Sequence, residues 1–428
     1  MKNKLFLLIM ITCLSLQISA QETFNNYFEQ KTMRFDYQIA GNAFGQQIFF
    51  EQIRKENFWG GPLKNLTDPF NFGDYRYLVF DSASNKLIFS RGYSDLFVEW
   101  QDTKEAQKIS RSFYSSIVFP YPKNAVRLQI DRRKPNMQWE KLYEFDIDPI
   151  NYFVNNDPAP DYKTKKIYDS GNPSEKVDIV IIPDGYTKRQ MRKFRKDAKR
   201  FVEYFFDCPT FANNSNKFNF WIVKAPSIDK GTDIPGFGKW NRTVLNTHFF
   251  TFDSERYLTT RDVKSIRDLA GCVPYDQIYI LVNSKKYGGG GIYNFYNLCS
   301  SDHPTSNMVF THEFGHAFAA LADEYAYENT AAEELYDLSV EPFQVNITTL
   351  ADFDSKWKNM VDSGIPIPTP NSEKYIGKIG VFEGAGYVKK KIYRPMQDCK
   401  MRSNRLDEFC PVCEKAIIEM IKFYCDEE

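Results

Sequence analysis

Between residues 30 and 150, apolar and polar positions alternate in short runs at 33–39, 75–80, 87–89, 96–100 and 126–130, with turn residues between them. A period of two puts every second side chain on one buried face. Each run is therefore expected as a half-buried strand, and the set as an antiparallel β-sandwich. The segment Asn155-Asn156-Asp157-Pro158-Ala159-Pro160 reads as a linker after it. Beyond that point the pattern changes. Val177-Asp178-Ile179-Val180-Ile181-Ile182 is a β-branched apolar run suited to a strand buried on both faces, closed by Pro183-Asp184-Gly185-Tyr186. Met191, Phe194, Ala198, Phe201, Val202 and Phe205 then recur at helical spacing, from an expected N-cap at Thr187 to a stop at Cys208-Pro209. Further strands are expected at 218–223 and 277–282, and a helix from near Asn307. The pattern predicts an α+β chain: a β-sandwich over 21–157, then a mixed sheet with packed helices over 158–428. There is no internal repeat and no low-complexity tract.

The first twenty residues differ in kind. Lys2 and Lys4 precede an apolar run that ends near Leu16, and Ser19-Ala20 follow. This is the form of a secretory signal peptide over 1–20 with cleavage near Ala20, and the run is too short to span a bilayer. Export to the periplasm, cell surface or medium is the expectation, with no transmembrane segment in the remaining chain. Cys13 lacks the small neighbour that a lipidation site requires. The 55 basic and 55 acidic residues balance, and losing Lys2 and Lys4 with the signal leaves a net charge of −2. That balance gives no basic footprint for nucleic acid. Seven cysteines remain after the signal, and an oxidising compartment favours disulfides among them over a zinc knot built from the cluster at 399–425.

The candidate chemistry lies in Thr311-His312-Glu313-Phe314-Gly315-His316, which holds two of only four histidines in the chain. On a helix, residues four apart share a face about 6 Å from one another, so His312 and His316 can address one metal ion. Glu313, pointing off that face, is placed to act as a general base toward water in a zinc hydrolase. The competing structural reading, an amphipathic helix, explains Phe314, Ala317, Phe318 and Leu321 but not the placement of the histidines and the glutamate. A catalytic zinc needs a third protein ligand, for which Asp323 is the first candidate. In an unbroken helix Asp323 would lie about 10 Å beyond His316, so the helix must end near Ala319 or Ala320 and the chain must turn back. Glu324 is the neighbouring alternative, and Glu333, Glu334 or Asp337 would serve from a second helix. Hard oxygen donors at Asp323-Glu324 also suit a structural calcium. The run Tyr287-Gly288-Gly289-Gly290-Gly291-Ile292 reads either as a flexible turn or as an edge strand that could pair with an extended substrate. Met401, in Cys399-Lys400-Met401-Arg402, reads as an apolar side chain or as a floor beneath the metal.

Taken together, the chain resembles the IgA peptidase family of secreted bacterial zinc metallopeptidases, including members with an N-terminal β domain. The matching residues are Val177-Asp178-Ile179-Val180, Asp184-Gly185-Tyr186, Tyr287-Gly288-Gly289-Gly290-Gly291, His312-Glu313-Phe314-Gly315-His316, Leu321-Ala322-Asp323-Glu324-Tyr325, Cys399-Lys400-Met401-Arg402 and Phe409-Cys410-Pro411-Val412-Cys413. The resemblance implies a metzincin-like catalytic domain with His312, His316 and Asp323 as zinc ligands and Glu313 as base. It also implies an endopeptidase acting on protein or glycoprotein. Ala320 departs from the family, which often has glycine there. The other reading is a surface protein that binds glycan or protein and carries an inert zinc domain; retention of Glu313 argues against it.

Overall fold

The computed structural model describes residues 23–327, 332–403 and 405–427, so the expected signal peptide and Cys13 lie outside the described residues. Eight strands come first: β1 (Phe28–Asn42), β2 (Gly45–Glu56), β3 (Tyr75–Asp81), β4 (Leu87–Tyr93), β5 (Arg111–Pro122), β6 (Val126–Arg133), β7 (Trp139–Ile147) and β8 (Val154–Asn155). They form two four-stranded sheets, ordered β5-β1-β2-β8 and β4-β3-β6-β7. All pairings are antiparallel except the short β2–β8 contact. The alternation read from the sequence is visible in β3, where Tyr75, Tyr77 and Val79 are buried and the residues between them are half-buried. The two sheets touch through aromatic rings. Phe35 on β1 lies 5.5 Å from Phe145 on β7, and the Tyr37 and Tyr93 hydroxyls are 2.5 Å apart.

One expected strand is a helix. Residues Leu96–Gln101 form a short α-helix whose first turn is capped by Asp95, its carboxylate accepting from the Phe97 and Val98 amides. The buried residues Leu96, Phe97 and Trp100 fit helical spacing as well as strand alternation over so short a run, and the cap decides between them. The runs read from the sequence do not include β2, β5, β7 or β8.

The second half is built on a six-stranded sheet of β9 (Thr164–Tyr168), β10 (Val177–Asp184), β11 (Phe218–Val223), β12 (Gln277–Val282), β13 (Gly289–Ile292) and β14 (Tyr296–Ser300), ordered β13-β14-β12-β10-β11-β9. Its four central strands are parallel, and the edges β9 and β13 run antiparallel to them. Every residue of β10 is buried, as its continuous apolar run requires. On one face, Ile179 and Ile181 pack with Phe201 and Phe205 of α1 (Met191–Asp207), Phe310 and Phe314 of α3 (Ser306–Ala319) and Ile417 of α4 (Pro411–Tyr424). On the other, Val180, Ile182, Ile278 and Ile280 join the apolar cluster that contains Phe35, Tyr77 and Phe119. The core thus runs across the expected boundary at 157/158. Among the described residues, no helix is long and apolar enough to cross a membrane.

Polar contacts reinforce this junction. Arg34 on β1 is fully buried and reaches Asp36 at 2.8 Å, Glu56 at 3.1 Å and Asp268 at 2.8 Å, the last on α2 (Val263–Ala270). Burial disfavours the Arg34 charge, but Glu56, Asp36 and Asp268 reverse this and raise its pKa. The C-terminal end is tied in as well, the Asp426 carboxylate accepting from the Leu63, Lys64 and Asn65 amides.

Two local features position the site. The glycine run is the edge strand β13, laid directly on α3. A side-chain carbon on Gly291 would come 2.2 Å from the Glu313 carbonyl oxygen, so only glycine permits this approach. At the other end of α3, Ala320 adopts φ 51°, ψ 34°. Its amide donates to the His316 carbonyl and that of Leu321 to Gly315, closing the helix with a left-handed cap built on alanine where glycine is usual.

Two outcomes test this packing. Arg34→Met leaves the buried carboxylates without their cation and should lower stability by about 3–5 kcal/mol in urea unfolding; a loss under about 1 kcal/mol would contradict the junction described. Gly291→Ala should cost about 1–3 kcal/mol through overpacking against α3, whereas Gly45→Ala, with nothing within 4 Å of the added carbon, should stay within about 0.5 kcal/mol.

Candidate metal centre

The turn at Ala320 sends the chain back along its own helix. Residues after it are held from both sides. Asn346 accepts from the Ala322 amide at 2.8 Å and donates to the Ala322 carbonyl at 2.9 Å, while the Glu324 amide donates to the Met401 carbonyl at 2.9 Å. The Asp323 carbonyl accepts from the Gly386 amide, in the turn between β15 (Phe382–Ala385) and β16 (Val388–Arg394). In this way the buried Asp323 carboxylate arrives beside the two histidines. Its Oδ1 lies 3.1 Å from His312 Nε2 and 3.4 Å from His316 Nε2, and the two Nε2 atoms are 3.1 Å apart.

The protons are elsewhere. His312 Nδ1 is 2.9 Å from the Lys400 carbonyl and His316 Nδ1 is 2.6 Å from the Leu321 carbonyl. A carbonyl oxygen can only accept, so each Nδ1 carries hydrogen and, in the neutral rings, each Nε2 presents a lone pair to the centre. Asp323 Oδ1 has no hydrogen-bond partner despite its burial, because the nearby nitrogens approach it without hydrogen-bond geometry. Three donor atoms converging with an orphaned buried oxygen fit a small divalent cation. Without one, the cluster must find positive charge from a proton. Burial opposes a charge on His316, but Asp323 and Glu313 outweigh it and raise its pKa to about 9. Burial likewise pushes the Asp323 carboxyl up, yet His316 and His312 hold it well below the usual carboxylate range.

Glu313 stands apart from the three converging groups and lines the cleft beside them, with Gly289 to Gly291 of β13 along the same cleft. Its carboxylate rests against β13, where a side-chain carbon on Gly289 would lie 2.6 Å from Oε1. Burial raises its pKa, opposed by His312 and His316. Met401 is fully buried against Gly315, a carbon on which would lie 2.8 Å from its sulfur. The neighbouring Lys400 carbonyl receives the His312 hydrogen bond, so this turn supports the motif helix from below.

The other described candidates for a third ligand lie elsewhere. Glu324 points away from the histidines, toward Cys399, Cys410 and Cys413. Glu334 is exposed, Asp337 caps Ser339, and the Glu333 side chain lies outside the described ones. Asp323 and Glu324 do not form the all-oxygen cage that calcium prefers, since one meets imidazoles and the other thiols. The expected disulfides are also absent from the described residues. All seven cysteines there are free, and Cys399 and Cys413 have their sulfurs 3.8 Å apart, nearly twice a disulfide bond.

Several cleft residues had no signal in the sequence. Tyr387, in a Gly-Ala-Gly-Tyr turn that reads only as a hairpin, donates to Asp323 Oδ2 at 2.5 Å. Glu99 comes from the short helix of the N-terminal half and accepts from Tyr257 at 2.5 Å. Both line the cleft, and through Glu99 the short N-terminal helix helps to shape it.

The chain matches the family described as IgA Peptidase M64 over residues 166–377 and 371–421, and the family described as Peptidase M64 N-terminus over residues 23–144. A search of curated proteins returned no match. The first of these matches spans more than half of the chain, in the region that carries the cleft, and the chain belongs to the IgA Peptidase M64 family of peptidases.

Proposed function

We propose that the protein is an exported zinc endopeptidase with a metzincin-like catalytic domain over 158–428, preceded by a signal peptide over 1–20 and a β-sandwich over 21–157. His312, His316 and Asp323 are its zinc ligands and Glu313 its general base. The observation that carries this reading is the convergence of His312 Nε2, His316 Nε2 and Asp323 Oδ1, with both Nδ1 hydrogens committed to backbone carbonyls. Imidazole nitrogen with one carboxylate is a donor set that suits zinc, and three protein ligands leave a coordination position open.

A bound zinc supplies Lewis acidity toward water and the scissile carbonyl. The chain's own residues do the rest. Glu313 takes a proton from the attacking water as its oxygen bonds to the peptide carbon, then delivers that proton to the amine as the carbon–nitrogen bond breaks. A carboxyl whose pKa burial has raised suits both halves of that transfer, because its affinity for the proton moves toward the working pH. The β13 edge, bridged at Gly289 by Tyr257, offers its remaining main-chain groups to an extended protein substrate, giving sequence-tolerant binding beside Glu313. Tyr387 acts as a positioning residue, holding Oδ2 of Asp323 so that Oδ1 faces the histidines.

Glu313→Gln protein should keep its zinc and lose peptide hydrolysis by roughly 10²–10⁴-fold against unfolded casein; near-normal turnover would rule out the assigned base. Asp323→Ala should lose the catalytic zinc. Tyr387→Phe should weaken it by about 10–100-fold in chelator competition while far-ultraviolet circular dichroism stays unchanged, and unaltered metal affinity in both variants would remove Asp323 from the ligand set.

A further inference from the structure

The residue after Asp323 faces a second cluster. Glu324, Cys399, Cys410 and Cys413 place their carboxylate and sulfur atoms within 4.8 Å of one another, and all four are buried. Cys410 and Cys413 form a Cys-x-x-Cys at the start of α4, Cys410 being its N-cap, and Cys399 comes from the turn that also contains Lys400 and Met401.

The spacing matches a metal and not a bridge. A tetrahedron with zinc–sulfur bonds of about 2.3 Å has sulfur–sulfur edges of about 3.8 Å, and Cys399 and Cys413 are 3.8 Å apart. Cys413 Sγ lies 3.2 Å from Glu324 Oε1, and the Cys410 amide donates to Cys399 Sγ at 3.3 Å. Glu324 Oε2 is buried with no hydrogen-bond partner, and among the described residues no salt bridge reaches this carboxylate. Asn346 donates to Glu324 Oε1 at 3.0 Å and so supports the donor from behind. A disulfide between any two of the sulfurs would leave the third thiol and the carboxylate together in the core without a cation.

We propose that Glu324, Cys399, Cys410 and Cys413 bind a second, structural zinc ion. All four tetrahedral positions are filled by protein, so this site is closed to water and substrate. It staples three segments that the cleft depends on. Glu324 fixes the returning segment beside Asp323, Cys399 fixes the turn whose Lys400 carbonyl receives His312, and the Cys410/Cys413 pair fixes α4. Zinc here orients the histidine centre through the backbone.

The proposal stands independently of the catalytic assignment, and one set of proteins separates the two. Full-length His312→Ala/His316→Ala protein, purified with reductant and zinc, should retain one equivalent of zinc by mass spectrometry. Its zinc-edge X-ray absorption should show three sulfur scatterers at about 2.3 Å and one oxygen. Adding Cys413→Ser to that background should abolish or greatly reduce the bound zinc. The proposal is overturned if the double-histidine protein holds no zinc, if its zinc has only nitrogen and oxygen neighbours, or if thiol titration in denaturant finds Cys399, Cys410 or Cys413 oxidised in pairs. Wild-type protein holding a single, sulfur-bound zinc would instead retain this site and remove the catalytic one.

Discussion

A buried carboxylate oxygen held against two imidazole nitrogens, without hydrogen-bond geometry between them, is the constraint around which the second half of the molecule is arranged. Asp323 Oδ1 has no hydrogen-bond donor, and both histidines have turned their hydrogens outward to backbone carbonyls. Such a cluster is costly unless a cation occupies its centre. Its persistence depends on surrounding structure that over-determines each side chain: the Lys400 and Leu321 carbonyls behind the imidazoles, Tyr387 on the far oxygen of Asp323, and Asn346 and the Met401 carbonyl along the returning segment.

That surrounding structure is drawn from distant parts of the chain. Helix α3 supplies the histidines, but β13 can lie against it only because glycines leave room for Glu313 and its carbonyl. The N-terminal sheets cover the opposite face of the six-stranded sheet and share its core, and the short helix Leu96–Gln101 sends Glu99 into the cleft. Arg34, surrounded by carboxylates from β1, β2 and α2, ties the two halves together at a point where neither could bury its charges alone.

Where the pattern was local, it was legible in the sequence. The strand at β10, the helix after Thr187 with its Thr187/Gln190 capping box, and the motif helix follow from period and caps within a few residues of one another. The requirement that α3 stop near Ala320 came from reach alone, and the left-handed alanine there meets it at a strain of about 1 kcal/mol. Leu96 to Trp100 is helix where alternation points to strand, because five residues carry too little period to separate the two without the Asp95 cap. Tyr387, Glu99 and the Glu324–cysteine grouping were not legible, since each joins residues tens or hundreds of positions apart through tertiary packing. The cysteine cluster is legible, but an oxidising compartment points to bridges, and only tertiary geometry brings a carboxylate to it in place of Cys425, which lies instead near the Lys217 carbonyl.

The most direct measurement is an anomalous difference map collected at the zinc absorption edge from crystals of the full chain. The account predicts a peak at bonding distance, about 2.0–2.2 Å, from His312 Nε2, His316 Nε2 and Asp323 Oδ1, with Glu313 outside that sphere. A map with no zinc between these three atoms, or with zinc bound directly by Glu313, would contradict it.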